Sequence, residues 1–214
     1  VAPVTDASEP RSVKLIVVRH GQTDCARDSI YSGSGTDIPL NEVGFEQVKR
    51  AARYVKAHDM QIDALIASPM LRTQQTAKAL AAVVDLPIIN DERIIEINFG
   101  EWEGKSVAEV HKANPKNHGV FLSDPAVPAP GGESCVEMYE RVRGFRDWLF
   151  DNYAGKTVLL ATHSGPTRVL LALAANLPAD QMRRFAVDTA SVNIVEFWED
   201  GGSVVHESNG GKVF

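Results

Sequence analysis

The sequence of 214 residues is poor in cysteine, has no excess of positive charge and contains no long apolar run. Its two cysteines, Cys25 and Cys135, make neither a disulfide framework nor a zinc-binding pattern. A reducing, cytoplasmic setting is therefore expected. Lys and Arg together number 22 against 28 Asp and Glu, a net charge of −6. Nucleic-acid binders leave a basic footprint that this chain lacks, so no nucleic acid is expected on this domain. An acidic protein can still bind an anion where it gathers cations locally. No stretch approaches the ~20 apolar residues that span a bilayer, and no membrane partner is expected. The first residues also lack the basic-then-apolar order of a secretory leader.

What is present is ordinary globular material, 44% hydrophobic, enough for one sizeable α/β domain and short for two. Residues 1–12 mix Pro, Ala, Ser, Thr and acids without periodicity. They read as a flexible arm or linker, with one domain over 13–214. The chain starts on Val rather than Met, as a processed or excised polypeptide does. Short apolar runs at 14–18 (KLIVV), 63–67 (DALIA), 86–89 and 157–162 (TVLLAT) predict strands. Helical spacing predicts helices over 41–58, from Ser68-Pro69 to about Val84, and over 105–114, 134–152 and 166–176. Ser68 is expected to cap its helix, with Pro69 in the first turn. The helix over 41–58 is expected to bury Val43, Val48, Ala51, Ala52, Tyr54 and Val55. The one over 134–152 should bury Val136, Tyr139, Val142, Phe145, Trp148 and Leu149. Residues 115–133 hold four prolines and three glycines and predict a long loop. Residues 191–198 and 203–206 predict a closing hairpin. Strands alternating with helices predict a three-layer α/β/α sandwich around a central, mostly parallel sheet. Ligands of such sheets lie beyond the carboxyl ends of the strands.

Three of these strands end in polar clusters: Arg19-His20-Gly21-Gln22-Thr23, Ser68-Pro69-Met70-Leu71-Arg72 and His163-Ser164-Gly165. Two arginines and two histidines thus converge on one sheet edge, where helix N-termini add N–H donors. Guanidinium forks match phosphate oxygens, so the pattern predicts an anion pocket suited to phosphate. Nearby cations keep a histidine neutral and nucleophilic. Attack on phosphorus also needs an acid for the departing oxygen. Glu96, amid Ile94, Ile95, Ile97 and Phe99, is the candidate, with Glu101 and Glu103 as alternatives. Ser32, Gly33, Ser34 and Gly35 suggest a small, flexible wall. Tyr31 and Trp102 suit stacking on a ring, and Phe121 and Leu122 an apolar lid. Cys25 lies near the proposed site but has no partner base in the sequence. His58, His111, His118 and His206 lie in no cluster and are expected to be solvated.

The sequence resembles the histidine phosphatase superfamily, also called phosphoglycerate mutase-like, over about 13–170. The resemblance is carried by Arg19-His20-Gly21; by Ser68-Pro69 with Arg72 and Thr76-Ala77; by Glu96 with the run 99–104 (FGEWEG); by Gly131-Gly132-Glu133-Ser134; and by His163-Ser164-Gly165. It implies that His20 becomes phosphorylated, that Arg19, Arg72 and His163 bind the phosphoryl group, and that Glu96 donates the proton. It implies no cofactor and no metal. Gln22 is assigned to phosphate as well; Thr23, Tyr31, Ser32, Gly33, Trp102 and Ser164 are assigned to the rest of the substrate. Gln22-Thr23 followed by the run 31–35 (YSGSG) is similar to the phosphatase domain that follows a ribonuclease H domain in some actinobacterial two-domain proteins. It is also similar to α-ribazole phosphatases. A fusion to a ribonuclease H domain in the full-length protein is implied on that ground. One position departs from the family: many members carry Asn six residues after the nucleophile, where this chain has Ala26, and one oriented donor is worth roughly 10²–10³ in rate. The expected activity is a phosphomonoesterase, of acid phosphatase or α-ribazole phosphatase type, acting on a small phosphorylated metabolite. A mutase using the same pocket and a non-catalytic phospho-ligand module are the alternatives.

Overall fold

The computed structural model describes residues 10–211. Six strands, Ser12–Arg19 (β1), Ala64–Ala67 (β2), Ile88–Asn90 (β3), Thr157–Thr162 (β4), Val192–Trp198 (β5) and Ser203–Gly210 (β6), form one sheet in the order β3-β2-β4-β1-β5-β6. The first four in that order are parallel; β5 and β6 add an antiparallel edge. The helices are Asp24–Arg27 (α1), Glu42–Ala57 (α2), Leu71–Val84 (α3), Val107–Ala113 (α4), Pro115–Ser123 (α5), Cys135–Tyr153 (α6) and Ser164–Ala174 (α7). Among the described residues no helix is long and apolar enough to cross a membrane.

The period of two along a strand sends alternate side chains to opposite faces, and the central strands are apolar on both. Val13, Leu15 and Val17 of β1 and Val158 and Leu160 of β4 pack with Met138, Val142, Phe145 and Leu149 of α6 and Val169 and Leu170 of α7. Ile16 and Val18 of β1 and Leu159 and Ala161 of β4 pack instead with Val48, Ala51 and Val55 of α2 and Ala77 and Leu80 of α3. These two layers of helix around one sheet make the α/β/α sandwich. A smaller apolar cluster, Trp102, Val110, Phe121 and Ala129, holds α4 and α5 together as a cap, with Tyr31 and Phe99 against it.

Several local expectations are corrected. Ser68 does not cap α3: Met70 stands at the N-cap with no side-chain hydrogen bond, and Ser68 is free for another use described below. Residues 115–123 are helical rather than loop, because Asn114-Pro115 starts a helix as well as ending one. The Asn114 side chain accepts from the Asn117 N–H at 3.1 Å, and Pro115 fits the first turn. Val43 and Val136 lie outside the buried faces of their helices, at 51% and 36% exposure. His118, expected in solvent, is buried. Of the arm expected over 1–12, residues 1–9 lie outside the described residues; Ser12 opens β1, and Arg11 Nε donates to Glu199 Oε2 at 2.9 Å.

Candidate active site

The carboxyl ends of β1, β2 and β4 deliver His20, Ser68 and His163 to one place. The parallel register sets Arg19 of β1 beside Thr162 of β4, so His20 and His163 follow on adjacent strands. Their ring centroids are 5.3 Å apart. The His20 backbone N–H donates to Thr162 O at 2.9 Å. Its Nδ1 lies 2.7 Å from Gly21 O. A carbonyl only accepts, so Nδ1 carries the proton and Nε2 keeps its lone pair. Burial, with Arg19 and Arg72 nearby, holds the His20 pKa well below its ordinary value, so the ring is neutral at neutral pH.

His163, at the N-terminus of α7, is fully buried, and its Nε2 is 2.8 Å from Ser68 Oγ. Burial, Arg72 and His20 likewise depress its pKa. Arg72 is buried beneath a loop and donates to Thr36 O at 2.9 Å and Gly33 O at 3.1 Å. Glu103 grips the same loop by its donors, accepting from Gly33 N at 2.8 Å and Thr36 Oγ at 2.6 Å. It also accepts from Phe99 N at 3.0 Å. Glu103 is thus a clamp rather than an acid at the site. Arg19 donates to Val187 O at 2.7 Å, and burial lowers its pKa to about 10. Among the described residues, four buried side-chain polar atoms have no hydrogen-bond partner: Arg19 Nε, Ser32 Oγ, Arg72 Nε and His163 Nδ1. All four belong to this one site.

Glu96 is nearly buried, and its Oε1 accepts from Ile97 N at 3.0 Å and Gly165 N at 3.1 Å. Its surroundings are therefore less apolar than the flanking isoleucines imply, since one donor is a free N–H of the α7 N-terminus. A Cβ on Gly165 would lie 2.3 Å from Glu96 Oε1, so only glycine admits the carboxylate there. Glu101 is exposed and outside the site.

A cavity of about 460 Å³ is lined by His20, Arg19, Glu96, Thr23, Ala26, Tyr31, Ser32 and Ser164 among others. Arg72 and His163 are not among its lining residues: the His163 ring abuts that of His20, and Arg72 Nη2 donates to the carbonyls of Ser32 and Gly33. The structure thus brings together nearly all the residues the sequence singled out. Three stand apart. Gln22 faces a neighbouring polar cavity with Arg19 and Gln47, and its Oε1 accepts from Asn41 Nδ2 at 3.1 Å. Gly33 is packed against backbone, where a Cβ would meet Ile97 O at 2.0 Å, so it shapes the loop. Trp102 is buried in the cap and lines neither cavity. Burial raises the Cys25 pKa, which leaves it a poor nucleophile.

Three residues escaped the sequence reading. Arg168 lines the cavity, one turn after Ser164 on the same face of α7; that i, i+4 spacing was a usable signal. Ser68 hides behind a Ser-Pro pair that reads as a cap. His118 sits in a hydrogen-bonded chain, with Nε2 at 2.8 Å from Tyr31 Oη and Nδ1 at 3.3 Å from His111 Nδ1. No local pattern announces it.

Comparison with known proteins identifies the family. The model of the histidine phosphatase superfamily (branch 1) matches residues 15–210. The chain is 39% identical over 196 residues to Bifunctional protein Rv2228c of Mycobacterium tuberculosis, covering 92% of this chain and 53% of that protein. It therefore spans about half the length of that relative. It is 28% identical over 178 residues to the Adenosylcobalamin/alpha-ribazole phosphatase of Escherichia coli, covering 82% and 86% of the two chains. The native structure of mycobacterial glucosyl-3-phosphoglycerate phosphatase superposes with a TM-score of 0.83 at 25% identity, covering 93% of this chain and 99% of that one. The chain belongs to the histidine phosphatase superfamily and is a phosphoric monoester hydrolase by kinship.

Proposed function

We propose that the chain is a metal-independent phosphomonoesterase working through a phosphohistidine on His20, with a small phosphorylated metabolite as substrate. The observation that carries this reading is the set of four unpartnered buried polar atoms around a neutral imidazole. Burying such groups unpaired is costly, and a phosphoryl group satisfies donors of this kind. With Nδ1–H tied to Gly21 O, His20 Nε2 attacks phosphorus. The ester P–O bond breaks, and the departing oxygen takes a proton from Glu96. Glu96, now a carboxylate, accepts a proton from water as that water attacks the phosphohistidine; the P–N bond breaks and phosphate leaves. Arg19, Arg72 and His163 carry the negative charge of the transferring group. Thr23, Tyr31, Ser32 and Ser164 border the substrate; Gln22, in the adjoining cavity, reaches at most its outer part.

The test is phosphate release from an aryl phosphate, with and without EDTA, by the wild type and His20→Ala. Release that survives EDTA and vanishes in the variant supports the reading; release lost to EDTA or retained by the variant overturns it. For the whole protein, the bifunctional relative, of which this chain spans about half, supports a fused second domain, and the resemblance carried by Gln22-Thr23 and residues 31–35 points to a ribonuclease H domain there; the scarcity of cysteine supports a cytoplasmic location. Immunoblotting of fractionated source cells for size and compartment checks both.

A further inference from the structure

A second cavity of about 390 Å³ adjoins the one at His20 and shares Tyr31, Glu96, Phe99, Ser164 and Arg168 with it. Its remaining walls are mainly apolar, including Ile97, Phe121, Met138 and Met182. Glu96 stands at the junction. On the hydrolase reading above, on which this inference rests, the ester oxygen sits beside Glu96 and the body of the leaving alcohol extends into the second cavity. Apolar walls favour an aromatic or aliphatic body, because sugar hydroxyls would lose water there without gaining partners.

One charged fork interrupts these walls. Arg168 is half-buried, and its Nε donates to Phe185 O at 3.1 Å. Among the described residues its two Nη groups have no hydrogen-bond partner, and it makes no ion pair. Burial lowers its proton affinity, with the Glu96 charge opposing that effect. Arg183 lies at the same cavity, but its Nη groups already donate to Leu122 O at 2.6 Å and Phe121 O at 3.3 Å. Arg168 is thus the guanidinium with both arms available, and two free Nη groups match a carboxylate bidentately. Beside Glu96, one guanidinium balances a single negative charge better than a second phosphate dianion.

We infer that Arg168 is a specificity-determining residue, and that the substrate is the phosphate monoester of an aromatic or aliphatic alcohol carrying a carboxylate. Neither turnover nor the identity of the nucleophile is needed to test this. Isothermal titration calorimetry on the full chain with His20→Gln compares phenyl phosphate with 3- and 4-carboxyphenyl phosphate. At least one carboxylated ester should bind about tenfold or more tightly than phenyl phosphate, as a charge-assisted bidentate contact predicts. Adding Arg168→Gln should bring that ratio to about one, and Arg168→Lys should restore part of it. A second measurement avoids the His20 variant: wild type saturated with inorganic phosphate should prefer 3- or 4-hydroxybenzoate to phenol. Equal affinities, no binding of any ester, or a preference that survives Arg168→Gln overturns the inference. A failed phosphate-release assay alongside a preserved binding preference would instead remove the hydrolase reading.

Discussion

Ser68→Ala tests how the site is assembled. Ser68 and His163 are both fully buried, and Ser68 Oγ lies 2.8 Å from His163 Nε2. The opposite ring nitrogen, Nδ1, is the one without a partner. For His163 to donate from Nδ1 to a phosphoryl oxygen while neutral, Nε2 must accept from the Ser68 hydroxyl. If the dianion draws a second proton onto the ring, the same hydroxyl turns and accepts from Nε2–H. In either state Ser68 is a positioning residue, and alanine leaves a buried imidazole nitrogen unsatisfied. A hydrogen bond to a charged group contributes about 1.5–3 kcal/mol, equivalent to roughly 10–150-fold in rate. The expected result is a fall in kcat/KM of about 10–100-fold, with a parallel loss of vanadate affinity. Ser68→Cys, which keeps a weak donor, should lie between. Stopped-time phosphate assays, vanadate inhibition and a thermal melt separate this from misfolding. A folded Ser68→Ala protein within about twofold of wild type in both rate and vanadate affinity refutes the assignment of His163 as a donor oriented by Ser68.

Three further outcomes follow from the geometry. Gly165→Ala puts a methyl group where Glu96 Oε1 stands, 2.3 Å from the new Cβ; kcat for a poor leaving group should fall about 10²-fold while an activated aryl ester is affected less, and equal losses on both esters contradict the proton-donor role. His20 and His163 are held neutral in the fold but take up protons near pH 6.5 when unfolded. The unfolded state then binds more protons below that pH, so stability is full above it and falls as pH drops, by up to ~1.4 kcal/mol per pH unit for each histidine. Urea unfolding between about pH 7 and 5 should show this slope, reduced in His20→Gln, and a flat profile contradicts it. Ala26 lines both the cavity at His20 and the polar cavity beside it; Ala26→Asn adds an amide donor there and should tighten vanadate about tenfold, whereas unchanged or weaker inhibition shows that the position does not face the phosphoryl group.

The strands were legible because buried parallel strands need continuous apolar runs, and KLIVV, DALIA and TVLLAT stand out from polar flanks. The catalytic edge was legible for a related reason: chain polarity puts whatever follows each run at one end of the sheet, so His20, Arg72 and His163 had to meet. What escaped depends on contacts between distant segments. Asn114-Pro115 carries both stop and start chemistry, and the packing of Phe121 on Trp102 that accompanies the helix is a contact between distant segments. Trp102 suits stacking on a ring by residue type alone, yet the cap built by that helix buries it. Glu103 and Arg72 hold one loop by its N–H and C=O groups in turn, an arrangement made of backbone atoms that side-chain patterns do not encode. The buried His118 depends on the same cap.

The central claim is that phosphorus passes through His20. Rapid mixing with a radiolabelled aryl phosphate, followed by alkaline quench and peptide mapping, tests it directly, because phosphohistidine survives alkali and is lost in acid. The predicted result is an acid-labile label on the peptide containing His20, formed by wild type and absent from His20→Gln. A label on another residue, or steady turnover by wild type with no labelled protein at any quench time, contradicts it.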